Sequence, residues 1–222
     1  MQNGMHLLNK LSNTSSYGLV AGAHPIVSNY QHILAVMEAI LMCGRYYISQ
    51  EEEAQELREM LEILKPKALP EQHLKMSGEI FPTDFVPVLA NNRALQHTPF
   101  AMHWGYTMEN RNIINARSET ASEKPLFKDG MQQHRCLVPA SWYFEWQTLV
   151  DKKKIKYAIR PAGNKLIYMA GIYRIRNSTS EMAILTRDAS ADVAFIHNRM
   201  PVILPAEARN DWLNPQYDGN DV

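Results

Sequence analysis

Cysteine is nearly absent. Cys43 and Cys136 are the 2 cysteines in 222 residues, and neither stands in a CxxC or Cys/His spacing. That argues against a disulfide framework and against a zinc site. A reducing, cytoplasmic compartment is the default for such a chain. Net charge is missing too: 23 Lys and Arg balance 23 Asp and Glu, for a formal charge of +0. Bulk charge therefore selects no partner, although a local basic groove would vanish in such a sum. No apolar run approaches the ~20 residues of a membrane-spanning helix. There is no internal repeat, and no pattern calls for a metal or a cofactor.

Charge is also scarce in the first 42 residues, where Lys10 and Glu38 are the only formally charged side chains. Arginine, which a mitochondrial presequence needs, does not occur there, and the basic start and small-residue cleavage site of a secretory signal are missing. "HILAVMEAIL" places Ile33, Met37, Ile40 and Leu41 on one side of a short helix, which would pack on the body. A second reading comes from the genetic code. Met37-Glu38-Ala39 is encodable as ATG-GAG-GC, a ribosome-binding sequence just upstream of the Met42 codon. We expect residues 1–42 to be an extension outside the mature protein, through a misassigned start or cleavage, and residues 43–222 to form one domain.

The body reads as several short strands with a few short helices, not strictly alternating, which is the pattern of a single strand-rich α+β domain. Ser49 and Glu52 make a capping box, and Leu57, Met60, Leu61 and Leu64 follow at helical spacing. "DFVPVL" is a strand placed at an edge by Pro87. In "FAMHWGYTM", Phe100, Met102, Trp104, Tyr106 and Met108 alternate onto one face. "INARSET" is a polar loop entering a short helix. "RCLVPASWYFEW" is strand-like on both sides of Pro139. "KIKYAIR" and "KLIYMAGIYRI" flank the turn "PAGN" as a hairpin. "EMAILT" is a strand, "SADVAFIH" a short helix and "PAEARNDWL" a closing helix.

Five polar clusters interrupt this apolar background: Cys43-Gly44-Arg45, Trp104-Gly105, Asn115 to Thr120, Phe144-Glu145-Trp146, and His197 to Pro201. Each has an ordinary reading. Glu145, between two aromatics in a strand, faces away from both, toward solvent or into a cleft, and alone it favours solvent. His197 alone is a surface or structural histidine, and Trp104 alone a core residue. Arg117 and Glu119 alone are a surface ion pair of little energetic weight.

Taken in order, "MCGRYY", "PTDFVPVL", "HWGY", "INARSET", "RCLVPASWYFEW", "HNRMPVIL" and "WLNP" resemble the SOS response-associated peptidase family over essentially all of 43–222. The resemblance implies a strand-rich α+β domain with a positively charged groove for DNA. It implies that the residues before Cys43 are removed and that the freed N-terminal cysteine reacts with abasic sites in single-stranded DNA. By position, Cys43, Asn115, Glu145 and His197 are the implied catalytic residues. Arg45, Trp104, Arg117 and Arg199 are the implied DNA contacts. Two departures stand out: Asn198 where the pattern commonly has Asp, and Trp142 where it often has Gly.

The chemistry accounts for the residue types. An N-terminal cysteine is a 1,2-aminothiol. Its amine, with a reference pKa of about 7.7–8.0, is partly neutral near pH 7 and attacks the open-chain aldehyde of an abasic sugar. Its thiol then closes a five-membered thiazolidine, aided by proximity. An internal Cys43 carries an amide nitrogen and can do neither. Glu145 is a general acid/base candidate, and His197 suits proton handling near neutrality. Asn115 offers hydrogen bonds without charge. The arginines suit phosphates, and Trp104 suits a base. A Schiff base also permits weak strand cleavage by β-elimination. Two other readings remain open: a thiol peptidase or autopeptidase using Cys43 with His197 as base, and a non-covalent module for single-stranded or modified DNA.

Overall fold

The computed structural model describes residues 17–19, 43–49, 55–64, 73–163 and 166–217. The elements are β1 (Tyr17–Leu19), β2 (Arg45–Ile48), α1 (Gln55–Leu64), β3 (Gly78–Ile80), β4 (Phe85–Asn91), β5 (His97–Trp104), β6 (Tyr106–Met108), β7 (Arg111–Ile113), β8 (Asn115–Arg117), α2 (Ser118–Ala121), α3 (Pro125–Gln133), β9 (Arg135–Ala140), β10 (Trp142–Thr148), β11 (Lys154–Pro161), β12 (Ile167–Arg176), β13 (Thr179–Asp188), β14 (Arg199–Pro201) and α4 (Ala206–Leu213). Strand-rich α+β architecture is therefore what the chain adopts. The helical reading of "HILAVMEAIL" lies outside the described residues, as does Glu52 of the capping box.

Two sheets carry the domain. One runs β1-β11-β10-β2-β3. The other runs β12-β9-β4-β5-β13-β14, and because β13 also pairs β12, five of its strands close on themselves. Closure removes the exposed edges that would otherwise recruit other chains. A large apolar cluster joins the sheets, with Cys43, Tyr46, Ile48 and Tyr143 from the first and Val86, Met102, Trp104 and Ile184 from the second. A second cluster lies between the closed sheet and its helices, where Phe127, Met131, Trp212 and Leu213 meet Leu137, Tyr168 and Leu185. Trp212 anchors α4 by donating its indole N–H to the Cys136 carbonyl at 2.9 Å. Cys136 is buried in the first cluster, and burial pushes its thiol pKa up.

Several local expectations are corrected. "KIKYAIR" and "KLIYMAGIYRI" are not a hairpin: β11 pairs β10 and β1, while β12 pairs β9 and β13 in the other sheet. The link between them crosses from sheet to sheet, which short-range pattern does not reveal. Pro87 lies inside the closed sheet, not on an edge strand. β9 meets β4 only at Leu89 and Ala90, so at Pro87 no ladder bond is demanded on that side. "FAMHWGYTM" is broken at Gly105, whose φ is +122. Trp104 enters the first cluster and Tyr106 the second. A Cβ at Gly105 would stand 2.0 Å from Asn112 Nδ2, which itself donates to the Trp104 carbonyl at 3.1 Å. "INARS" is strand β8 running into α2, and residues 191–196 form hydrogen-bonded turns, not a helix.

Candidate functional site

Cys43 sits just before β2 with a left-handed backbone, φ +45, and no exposed surface. A non-glycine residue in that region is held there by its surroundings. Here the backbone N–H of Cys43 donates to Glu145 Oε1 at 2.6 Å. The sheet makes this contact: β10 lies antiparallel to β2 with Phe144 opposite Arg45, so the next residue, Glu145, comes level with the chain entering β2. Strand alternation sends Glu145 inward with Tyr143 while Phe144 and Trp146 turn outward. The ordinary solvent reading of Glu145 is thereby corrected, since it is 2% exposed.

Burial raises the Glu145 pKa to about 7, against the lowering effect of hydrogen bonds from the Cys43 and Trp146 backbone. Burial first, and the nearby Glu145 charge second, push the Cys43 thiol well above its ordinary value. The pair therefore combines a protonated thiol, a carboxyl that can hold or release a proton near neutrality, and a backbone nitrogen in direct contact with that carboxyl.

The Glu145 shift has a sign. Its folded pKa, about 7, exceeds the ordinary 4.5, so between those values the folded chain holds more protons than the unfolded one. Its contribution is fully present below pH 4.5 and is lost as pH rises toward 7. In the uncleaved chain, Glu145→Gln should therefore gain stability relative to the parent, by about 3 kcal/mol more at pH 7.5 than at pH 4.5. Urea unfolding of both proteins at the two pH values checks this. An equal difference at both would contradict the burial argument.

His197 ends the turns after β13. Its Nδ1 lies 3.1 Å from the Arg199 backbone nitrogen and 3.4 Å from the Arg199 carbonyl oxygen, and the ring's tautomer decides which of the two it bonds. The Arg199 side chain is buried, and both of its terminal nitrogens are engaged. It forks onto Glu119 at 2.6 and 2.8 Å, donates to the Thr186 carbonyl at 2.8 Å and reaches Asp188. A bidentate fork of this kind fixes geometry as well as charge. Glu119 thus pairs with Arg199, not with Arg117, and the Arg199 guanidinium braces the loop that carries His197. Arg117 is exposed and stands opposite Thr186, while Asn115 is half-buried on β8 opposite Ile184. Trp104 has no exposed surface, tilts against Tyr46 at 5.1 Å and donates to the Ile114 carbonyl at 3.2 Å. It supports the strand carrying Asn115 from within the core, so no base can reach its face in this arrangement.

Two groups of the expected residues result. Cys43 and Glu145 touch. Arg117 and Arg199 stand opposite Thr186 and Asp188 at the end of β13, His197 lies just before Arg199 in the chain, and Asn115 stands further back, opposite Ile184. The groups are linked because Gln147 of β10 donates to the Phe195 carbonyl at 3.2 Å, and Tyr157 packs edge-on against the Phe195 ring.

The outer face of the first sheet was not singled out by its sequence. Strand alternation places Arg45 and Tyr47 of β2, Trp142, Phe144 and Trp146 of β10, and Lys154, Lys156 and Arg160 of β11 on that face, with Glu79 of β3. The Arg45 guanidinium lies 3.9 Å from the Phe81 centroid, and Lys156 Nζ lies 3.8 Å from that of Phe144. Glu79 accepts from both cations, at 3.2 and 2.7 Å. The period-two lysines of "KIKYAIR" were the signal. Among the described residues no group of His, Cys, Asp and Glu could hold a metal ion, and no helix is long and apolar enough to cross a membrane.

The profile of the SOS response associated peptidase (SRAP) family matches residues 42–222. The abasic site processing protein YoqW of Bacillus subtilis is 30% identical over 187 residues, covering 79% of this chain and 81% of its own. YedK of Escherichia coli, of the same description, is 31% identical over 126 residues, covering 54% and 56%. A crystal structure from Bacteroides thetaiotaomicron superposes with a TM-score of 0.64 at 24% identity, over 81% of this chain and 84% of that one, and shows the same fold.

Proposed function

Since the chain belongs to the SOS response associated peptidase family, we propose that it captures abasic sites in single-stranded DNA by a covalent thiazolidine link to Cys43, once residues 1–42 are absent. The observation that carries this reading is the 2.6 Å contact between the Cys43 nitrogen and the buried Glu145 carboxylate. A buried acid of raised pKa beside a potential α-amine is the equipment that imine chemistry needs. The names of the relatives, abasic site processing proteins, support the substrate class.

The steps balance as follows. With residues 1–42 gone, the α-ammonium of Cys43 transfers a proton to Glu145. The neutral amine attacks C1′ of the open-chain sugar, and the carbonyl oxygen becomes a hydroxyl. Glu145 returns its proton to that hydroxyl, water leaves and a protonated imine forms. The Cys43 sulfur adds to the imine carbon, and the thiol proton ends on the ring nitrogen. One water is lost overall. His197 serves as a proton-transfer group toward the sugar oxygens, and Asn115 as an uncharged hydrogen-bonding group. The raised thiol pKa weighs against a peptidase that starts from a resident thiolate. Ring closure makes no such demand, because the imine is the stronger electrophile and proximity assists. Shielding of the lesion follows from consuming the imine before β-elimination.

A protein whose mature chain starts at Cys43 should give a denaturant-resistant adduct with an abasic single-stranded oligonucleotide. The same protein with one alanine added before Cys43 should give none. A stable adduct from the alanine-extended form would contradict the role of the α-amine.

A further inference from the structure

The outer sheet face holds one feature that the chemistry above does not use. Tyr47 and Trp142 stand opposite one another in the β2–β10 ladder, and their rings stack at 4.5 Å with an interplanar angle of 5°. Both are partly exposed, and neither belongs to the buried clusters. Trp142 also stands where the family pattern often has glycine.

We propose that the Tyr47–Trp142 pair is a stacking subsite for an unpaired base of single-stranded DNA, about two to three nucleotides from the position of Cys43. The proposal rests on the abasic-site reading for its register, though not for its chemistry. Trp142, Phe144 and Trp146 occupy every second position of β10 and share one face. The β2–β10 register, extended beyond Phe144 and Arg45, sets Trp146 beside Cys43. Trp142 is four residues away, roughly 13 Å along the strand. Sheet faces turned from a core ordinarily carry polar side chains. This one carries aromatic rings between Arg45, Lys156 and Arg160, with Glu79 as the acidic counterpart. Cations that follow a backbone, alternating with rings that accept any base, are the features of a sequence-tolerant single-strand binder. An acidic peptide would use the cations and leave the parallel rings idle. The Trp142 indole N–H supplies a second observation. It is shut from solvent and has no acceptor among the described residues. A base or phosphate oxygen could satisfy it after a small ring movement.

The test uses the full chain and undamaged oligothymidylate, single-stranded and as a duplex with oligodeoxyadenylate, read by fluorescence anisotropy. Trp142→Leu should weaken single-strand binding by roughly tenfold and leave the salt dependence of log K unchanged. Lys156→Ala should instead flatten that dependence by about one phosphate contact. Trp142→Phe, which keeps a ring, should restore most of the affinity, and this separates stacking from misfolding. Parent-like binding by a Trp142→Leu protein with an unchanged melting temperature would overturn the proposal. So would equal losses for single strand and duplex, or equal losses for Leu and Phe. Repeating the series in a Cys43→Ser background keeps the proposals apart. If the parent chain starting at Cys43 forms no adduct with abasic DNA but the Trp142 dependence persists on undamaged strands, only the covalent reading fails.

Discussion

Cys43→Ser, in a protein whose chain starts at residue 43, is expected to bind abasic DNA and yet lose its durable adduct. Serine preserves the α-amine, so the imine still forms and borohydride still traps it. What is lost is the sulfur that closes the ring. Well-placed intramolecular nucleophiles gain effective molarities on the order of 10⁵ M or more, and the imine, left open, hydrolyses back. The fraction surviving heat in denaturant should fall at least about a hundredfold, while reductive trapping stays within a few-fold of the parent. Strand cleavage should rise, because an open imine promotes β-elimination. A serine variant whose untreated adduct survives as well as the parent's would remove the thiazolidine from the account.

Glu145→Gln is expected to slow adduct formation by roughly 10²–10⁴-fold without abolishing it, the usual worth of a placed general acid/base. The amide is nearly isosteric and can still accept from the Cys43 nitrogen at the present 2.6 Å contact. It cannot take up the ammonium proton or return one to the departing hydroxyl. The pH profile should change with the rate. A carboxyl that burial lifts to about 7 beside an amide is drawn downward when a free ammonium replaces that amide, and the amine is correspondingly raised. The parent's rate should therefore carry an inflection from the coupled pair, and the Gln variant should keep only that of the amine. Rapid-quench kinetics from pH 5 to 9 measures this, and a Gln variant with parental rate and profile would show Glu145 to be only a structural acceptor. The opposite signs of the two Glu145→Gln effects, higher stability in the uncleaved chain and lower rate in the mature one, would mark a buried acid kept for function at a cost to folding.

Much of this was legible in the sequence and some was not, for identifiable reasons. The α+β class followed from short strands broken by Pro and Gly, and the ordered motifs pointed to the family before any coordinates. Period-two alternation separated Glu145 from Phe144 and Trp146. It could not say which face was buried, because that depends on the second sheet, which packs against the Tyr143 side of β10. Trp104 taken alone read as a core residue and the family resemblance made it a base contact; the contacts of its ring with Tyr46 and of its N–H with Ile114 favour the core reading. Arg199 looked like a phosphate ligand because its partner Glu119 lies 80 residues away in sequence. Long-range pairing of this kind, like the crossing between β11 and β12, leaves no local trace. The Tyr47–Trp142 stack was hidden the same way, as each aromatic alone is unremarkable in a strand.

The central claim is that the nitrogen of Cys43 is a free amine in the working protein and bonds to the abasic sugar. The most direct measurement is the intact mass, under denaturing conditions, of protein expressed with its own upstream DNA and mixed with a single-stranded oligonucleotide carrying one abasic site. The account predicts a species equal to the chain starting at Cys43 plus the oligonucleotide, less one water. A chain that still carries residues 1–42, with no adduct, would contradict it.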